Sequence, residues 1–157
     1  KLSTPVDIPG YPFRMDHQSR ILMLGSCFTD NIVRMLERFR FQVEINPFGT
    51  IFNPLSVQRS LEALMENQNT EDDLEQHSGL WLSFDHYTGF SDPNRDHCLD
   101  KINRGFLPAK KALRDADFLF LSWGSARVYR KASDGRTVSN CHKIPSAFFT
   151  RSMLSPD

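Results

Sequence analysis

Apolar residues fall along this chain in two rhythms, short unbroken runs and longer stretches where they recur every three or four positions. Arg20-Ile21-Leu22-Met23-Leu24 is a short run closed by Gly25-Ser26, the pattern of a parallel strand buried on both faces. Thr29-Asp30 offers a helix cap, and Ile32, Val33, Leu36 and Phe39 trace a helical stripe through about residue 38. Phe41-Gln42-Val43-Glu44-Ile45 then alternates apolar and polar, as an edge-like strand does, and Asn46-Pro47-Phe48-Gly49 supplies turn residues to end it.

The rhythm continues. Asn53-Pro54 opens a helix with Leu55, Leu61, Leu64 and Met65 on its apolar face through about residue 66. Residues 67–78 are polar and expected to be exposed, and Trp81-Leu82-Ser83-Phe84 reads as either a short strand or an ordered loop. Ser91-Asp92-Pro93-Asn94 has loop composition and precedes a helix over about residues 96–115. Asp117-Phe118-Leu119-Phe120-Leu121-Ser122-Trp123 is the clearest strand and ends at Gly124. Val128-Tyr129 and Thr137-Val138 flank Ser133-Asp134-Gly135-Arg136, a hairpin pattern with Asp-Gly at the turn.

Strand and helix signals alternate without a repeat or a linker, so the expected fold is one α/β domain over residues 1–157 built on βαβ units. Right-handed crossovers put ligands outside the carboxyl ends of such strands, where Gly25-Ser26-Cys27 and Gly124-Ser125 converge.

Composition narrows the function classes. Hydrophobic residues make up 39% and charged residues 24%, with 13 Phe, which suits a packed core rather than disorder. Nineteen basic and nineteen acidic residues cancel, so no overall field draws the protein to nucleic acid or anionic lipid, and a neutral partner or substrate is favoured. The longest apolar runs fall far short of a membrane span, and Lys1-Leu2-Ser3-Thr4-Pro5 has no signal-peptide pattern, so a cytoplasmic location is expected. Cys27, Cys98 and Cys141 show no paired spacing, which argues against a disulfide scaffold or a structural zinc site. His86 with Asp85, or Asp96, His97 and Cys98, put metal-ligand types side by side, but neighbours in sequence seldom converge on one ion, so no metal or other cofactor is expected. No glycine-rich nucleotide loop is present. Ser155-Pro156-Asp157 has the composition of a helix opening, which suggests a fold cut short at its C-terminal side.

The turn at Gly25-Ser26-Cys27 joins a core strand to a helix. Such a turn exposes a side chain, and the helix N-terminus favours negative charge and offers N–H donors to an oxyanion, so Ser26 or Cys27 is a candidate nucleophile for acyl transfer. The same residues also suit a tight βα turn with no chemistry.

Gly25-Ser26-Cys27-Phe28-Thr29 resembles the motif that names the GSCFA family, differing at Thr29 where Ala is usual. Four further blocks agree in order: Asn46-Pro47-Phe48-Gly49 with Asn53-Pro54-Leu55-Ser56; Trp81 with Asp85-His86; Gly124 to Tyr129; and Asn140-Cys141-His142-Lys143-Ile144-Pro145. The resemblance implies a relationship to the SGNH, or GDSL-type, hydrolases, with their flavodoxin-like, three-layer α/β/α sandwich around a mostly parallel sheet and their ester-bond chemistry. An ungapped match to the Gly-Asp-Ser-Leu block puts Cys27 on the nucleophile, and a shift of one residue would put Ser26 there. It implies Gly49 as an oxyanion donor, with Asn53 near enough to assist.

Two departures stand against a complete catalytic set. The third SGNH block usually reads Gly-x-Asn, where this chain has Gly124-Ser125-Ala126, which leaves Asn140 and His142 as candidate donor and base. The Asp-x-x-His that usually supplies the base occurs nowhere in the chain, and His86 and His97 are the other imidazoles considered for that role. The expectation is an SGNH-type hydrolase of acyl esters, including O-acyl groups on carbohydrate. The alternatives are an O-acyltransferase at the same site and a non-catalytic fragment that binds carbohydrate or a partner. An incomplete sheet would leave a sticky edge prone to self-association.

Overall fold

The computed structural model describes residues 4–7, 9–66 and 73–155. Its centre is a parallel sheet in the order β2-β1-β5, formed by β1 (Arg20–Gly25), β2 (Gln42–Ile45) and β5 (Phe118–Ser122). The first connection runs through α1 (Cys27–Arg38). The second runs through α2 (Pro54–Glu66), the antiparallel pair β3 (Leu74–His77) and β4 (Leu80–Ser83), and α3 (Arg95–Asp115). After β5 the chain builds another antiparallel sheet, β7-β6-β8, from β6 (Arg127–Lys131), β7 (Thr137–Val138) and β8 (Phe149–Met153).

The period-two alternation of β1 explains the layers. Ile21 and Met23 pack with Val33, Ile32 and Leu36 of α1 and with Val43 and Ile45 of β2. Leu22 and Leu24 point to the opposite face and are fully buried. On that side α3 packs on β1 and β2 and also against α2, where Phe48, Ala63, Leu64 and Ala109 form a second cluster. The expected α/β layering is present and the central sheet β2-β1-β5 is parallel, but among the described residues the other five strands form two antiparallel sheets, so the strands taken together are mixed rather than mostly parallel. Short strands joined by close turns pair with their neighbours in sequence, as β3 and β4 do across Ser78-Gly79.

Several expectations need adjustment. The segment at 81–84 is a strand, with Leu80–Ser83 paired to Leu74–His77. Its partner lies within the stretch read as polar and exposed, yet Leu74 is buried against Cys98 and Ile102. Residues 67–72 of that stretch, Lys1–Ser3 and the Pro156-Asp157 part of the helix opening lie outside the described residues. Helix α1 starts at Cys27, not after Thr29-Asp30, because Ser26 is the extended capping residue and the side chains of Thr29 and Asp30 serve tertiary partners. Phe39 and Met65, assigned to helical core faces, are exposed, while Val57, Ser56 and Ser60 occupy the buried face of α2. The hairpin is as expected: Tyr129 pairs with Val138 and Arg130 with Thr137. Strand β8 had no clear sequence signal, and it completes that sheet along β6.

Candidate functional site

The carboxyl ends of β1 and β5 meet at the Gly25-Ser26-Cys27 turn. Gly25 has φ +140°, and a Cβ there would collide with the Ser122 carbonyl oxygen, so only glycine allows β1 and β5 to stay paired as the chain turns into α1. The Gly25 N–H donates to Asn46 Oδ1 at 2.7 Å. Asn46 Nδ2 in turn donates to Asp30 Oδ1 at 2.7 Å, and Thr50 Oγ1 donates to Asp30 Oδ2 at 2.9 Å. This chain of bonds fixes the β1–α1 turn to the loop that comes after β2.

Ser26 is buried. Its N–H donates to Ser122 Oγ at 3.1 Å, its own Oγ lies 3.0 Å from Ser122 Oγ, and Thr29 Oγ1 lies 2.6 Å from the same atom. A hydroxyl has one donor and two acceptor sites, so these contacts saturate Ser122, and Ser26 and Thr29 must play opposite donor and acceptor roles. Ser26 therefore does not cap α1 with its side chain. Cys27, the next residue, is exposed at the first position of the helix, and among the described residues no group bonds its sulfur. The two candidate nucleophiles are thus separated: one faces inward into a hydroxyl network, the other faces solvent.

The remaining candidates occupy distinct places. Gly49 has φ +78° and packs against Tyr87, and its N–H donates to the Asn46 carbonyl at 2.7 Å, closing the turn after β2. Asn53 is buried and caps α2: its Oδ1 accepts from the Ser56 N–H and its Nδ2 donates to Ser56 Oγ, both at 2.9 Å. Asn140 Oδ1 accepts from the His142 N–H at 2.8 Å. His142 Nε2 donates to the Ser83 carbonyl at 2.8 Å, which leaves Nδ1 as the acceptor facing Ser91 Oγ at 3.5 Å. Burial lowers the His142 pKa, opposed by the bond to Ser83.

His86 belongs to the same neighbourhood. Its Nδ1 lies 2.9 Å from Ser83 Oγ, its ring packs against Phe48 and Phe90, and burial pushes its pKa down to about 4 despite the carboxylate of Asp85. Asp85 itself receives Arg59 and Arg136, each through a nitrogen 2.8 Å from Oδ2. Both imidazoles are therefore neutral near pH 7 and directed at Ser83. Among the described residues no hydrogen bond joins either one to Ser26 or Cys27, and no group of three or more His, Cys, Asp or Glu side chains is placed to hold a metal ion. No described helix is long and apolar enough to cross a membrane.

Sequence reasoning missed Ser122, the hub of the turn. The available signal was a hydroxyl residue closing the most apolar strand, directly before Trp123-Gly124. It also missed Ser83 and Ser91, which have no signature outside the folded chain.

Beside this region lies an open groove of about 860 Å³. Thr50 and Phe52 from the loop before α2 form one wall, and Tyr129, Asn140, Cys141 and Phe149 belong to the sheet and loops opposite. The Phe52 carbonyl accepts the N–H groups of Gly124 and Ser125 at 2.9 and 3.0 Å, which ties that wall to the turn after β5.

Comparison with curated proteins and with solved structures returns no match. A family model described as the GSCFA family matches residues 20–157, from the first residue of β1 onward. With the match spanning nearly all of the sequence and including the Gly25-Ser26-Cys27-Phe28 turn, the chain belongs to the GSCFA family.

Proposed function

We propose that this GSCFA-family domain acts on acyl esters as SGNH-type hydrolases do, with Cys27 as the nucleophile. One observation carries the choice: Cys27 is exposed at the N-terminus of the 12-residue α1, while the neighbouring Ser26 hydroxyl is held inside by Ser122. The N–H groups of the first helical turn are placed to donate to an oxyanion formed beside Cys27. In the proposed reaction the Cys27 sulfur bonds to the ester carbonyl carbon and the bond to the alcohol oxygen breaks. The thiol proton reaches the departing alcohol through solvent, and water then cleaves the thioester to release the acid. A sugar hydroxyl in place of that water would make the protein an O-acyltransferase.

Gly49 and Asn53 support this reading indirectly, by shaping the loop after β2 and by capping α2. Asn140 and His142 hold a corner of the groove.

The test combines labelling and turnover. Iodoacetamide at neutral pH should alkylate exposed Cys27 faster than Cys98 and Cys141 in the folded protein, and a 4-nitrophenyl ester should be hydrolysed by the wild type and by Ser26→Ala but not by Cys27→Ala. Absence of ester turnover in the intact protein, or equal turnover in Cys27→Ala, refutes the assignment. A second reading, a non-catalytic ligand-binding domain, is favoured by the commitment of both imidazoles to Ser83, and it predicts a saturable ligand without turnover.

A further inference from the structure

The groove of about 860 Å³ falls in the size range of small-molecule sites, and its lining has an uneven chemistry. Phe52, Tyr87, Tyr129 and Phe149 supply aromatic surface, while Lys143 and Arg151 supply positive charge and, among the described residues, no carboxylate side chain contributes to the wall. This imbalance arises in a chain whose nineteen basic and nineteen acidic residues cancel. It also contrasts with the adjacent cations. Lys131 pairs with Glu75, Arg136 with Asp73 and Asp85, and Arg59 with Asp85, whereas neither Lys143 nor Arg151 has an acidic partner among the described residues.

The backbone that presents Lys143 is unusual as well. His142 and Lys143 both have positive φ, +49° and +59°, a conformation disfavoured for side chains with a Cβ. It is held in place by the His142 Nε2 bond to the Ser83 carbonyl, by the Asn140 cap on the His142 N–H and by the Ile144 N–H to the Cys141 carbonyl at 2.9 Å. Ordinary surface lysines need no such support.

We infer that this groove binds a small organic anion whose ring lies against the aromatic wall and whose carboxylate or equivalent acidic group is met by Lys143 and Arg151. A ring face is favoured by Tyr87 and Tyr129, which offer flat apolar surfaces with polar rims. Both cations line the same groove, and the ligand chemistry they share is a negative charge attached to a ring. This goes beyond the acyl-ester reading and does not require Cys27 to react.

The experiment is a titration of the isotope-labelled intact chain, monitored by amide NMR, with phenyl β-D-glucuronide and, separately, phenyl β-D-glucoside. The two probes share their rings and differ by one carboxylate. The glucuronide should shift the amides of residues 139–144 and of Arg151, and should bind about tenfold more tightly, as expected for one charge meeting two partly solvated cations. Lys143→Met combined with Arg151→Met should reduce glucuronide affinity to that of the glucoside and leave the glucoside unchanged, with the rest of the spectrum preserved because both side chains are exposed. Equal affinity for the two probes, shifts that map elsewhere, or no saturable binding of the glucuronide overturns the inference. Ester turnover is measured independently, so either reading can fail while the other stands.

Discussion

Ser122 and Ser83 each close a strand and each gathers polar partners, but they do so with different materials. Around Ser122 the partners are neutral hydroxyls and an N–H, at the carboxyl end of the parallel sheet and beside the turn that exposes Cys27. Around Ser83 the partners are the imidazoles of His86 and His142, enclosed by Phe48, Phe84 and Phe90 where the antiparallel strands meet. The first corner is held by neutral hydroxyls and leaves a nucleophilic side chain in solvent. The second titrates, and its histidines are occupied in holding loops. Chemistry that would need a thiol and an imidazole together finds them apart among the described residues.

The comparison can be broken most severely at Gly25. Replacing it with Ala puts a Cβ into the Ser122 carbonyl and forces a positive φ on a residue that resists it, so the cost should exceed about 3 kcal/mol or prevent folding. Gly135→Ala is the control, with φ +74° but open space around it, and should cost about 1 kcal/mol in a urea titration.

Acid should separate the two corners next. The folded pKa of His86 is about 4 against an ordinary 6.5, so below pH 6.5 the unfolded chain takes up its proton first. Stability is complete above pH 6.5 and falls as the pH drops toward 4, by an amount on the order of 3 kcal/mol from this residue. Burial of His142 acts in the same direction. Urea midpoints measured between pH 7 and pH 4 should fall steeply in the wild type and less steeply in His86→Gln, while Ser122→Ala should leave the slope unchanged.

Ser122→Ala itself should cost about 1–3 kcal/mol at every pH, because it leaves Ser26 and Thr29 without their shared partner. If the cost is negligible, the hydroxyl network does not hold the turn. Asn53→Ala should cost about 1 kcal/mol through loss of the α2 cap, detectable as a shifted denaturation midpoint with no change in Cys27 alkylation. Cys27→Ala should have the smallest effect on stability, within about 0.5 kcal/mol because the side chain is exposed, and the largest effect on any acyl transfer.

Much of the framework was legible in the residues. The run Ile21–Leu24, the stripe on α1, the strand at 118–122 and the Asp134-Gly135 hairpin arise from local periodicity and turn chemistry, which act over a few residues. The five ordered blocks pointed to the family that the match over residues 20–157 establishes. The candidate site was legible only as residue types. Serine and cysteine side by side at 26 and 27 look interchangeable in sequence, and the direction each side chain takes depends on Ser122, 96 residues away from Ser26.

The sequence by itself determined where the chain turns from strand to helix at Gly25, that Ile21–Leu24 is apolar enough for the interior, and which turn residues end the strands at 45 and 122, because these depend on short-range sterics and the burial of apolar surface. Tertiary structure alone decided that Ser26 faces inward and Cys27 outward, that His86 and His142 share Ser83, and that Lys143 and Arg151 lie along one groove without a carboxylate between them. Apart from the local His86–Ser83 contact, those outcomes rest on directional hydrogen bonds and unpaired charges between segments far apart in the chain, and their partners become neighbours only when the sheets and helices pack.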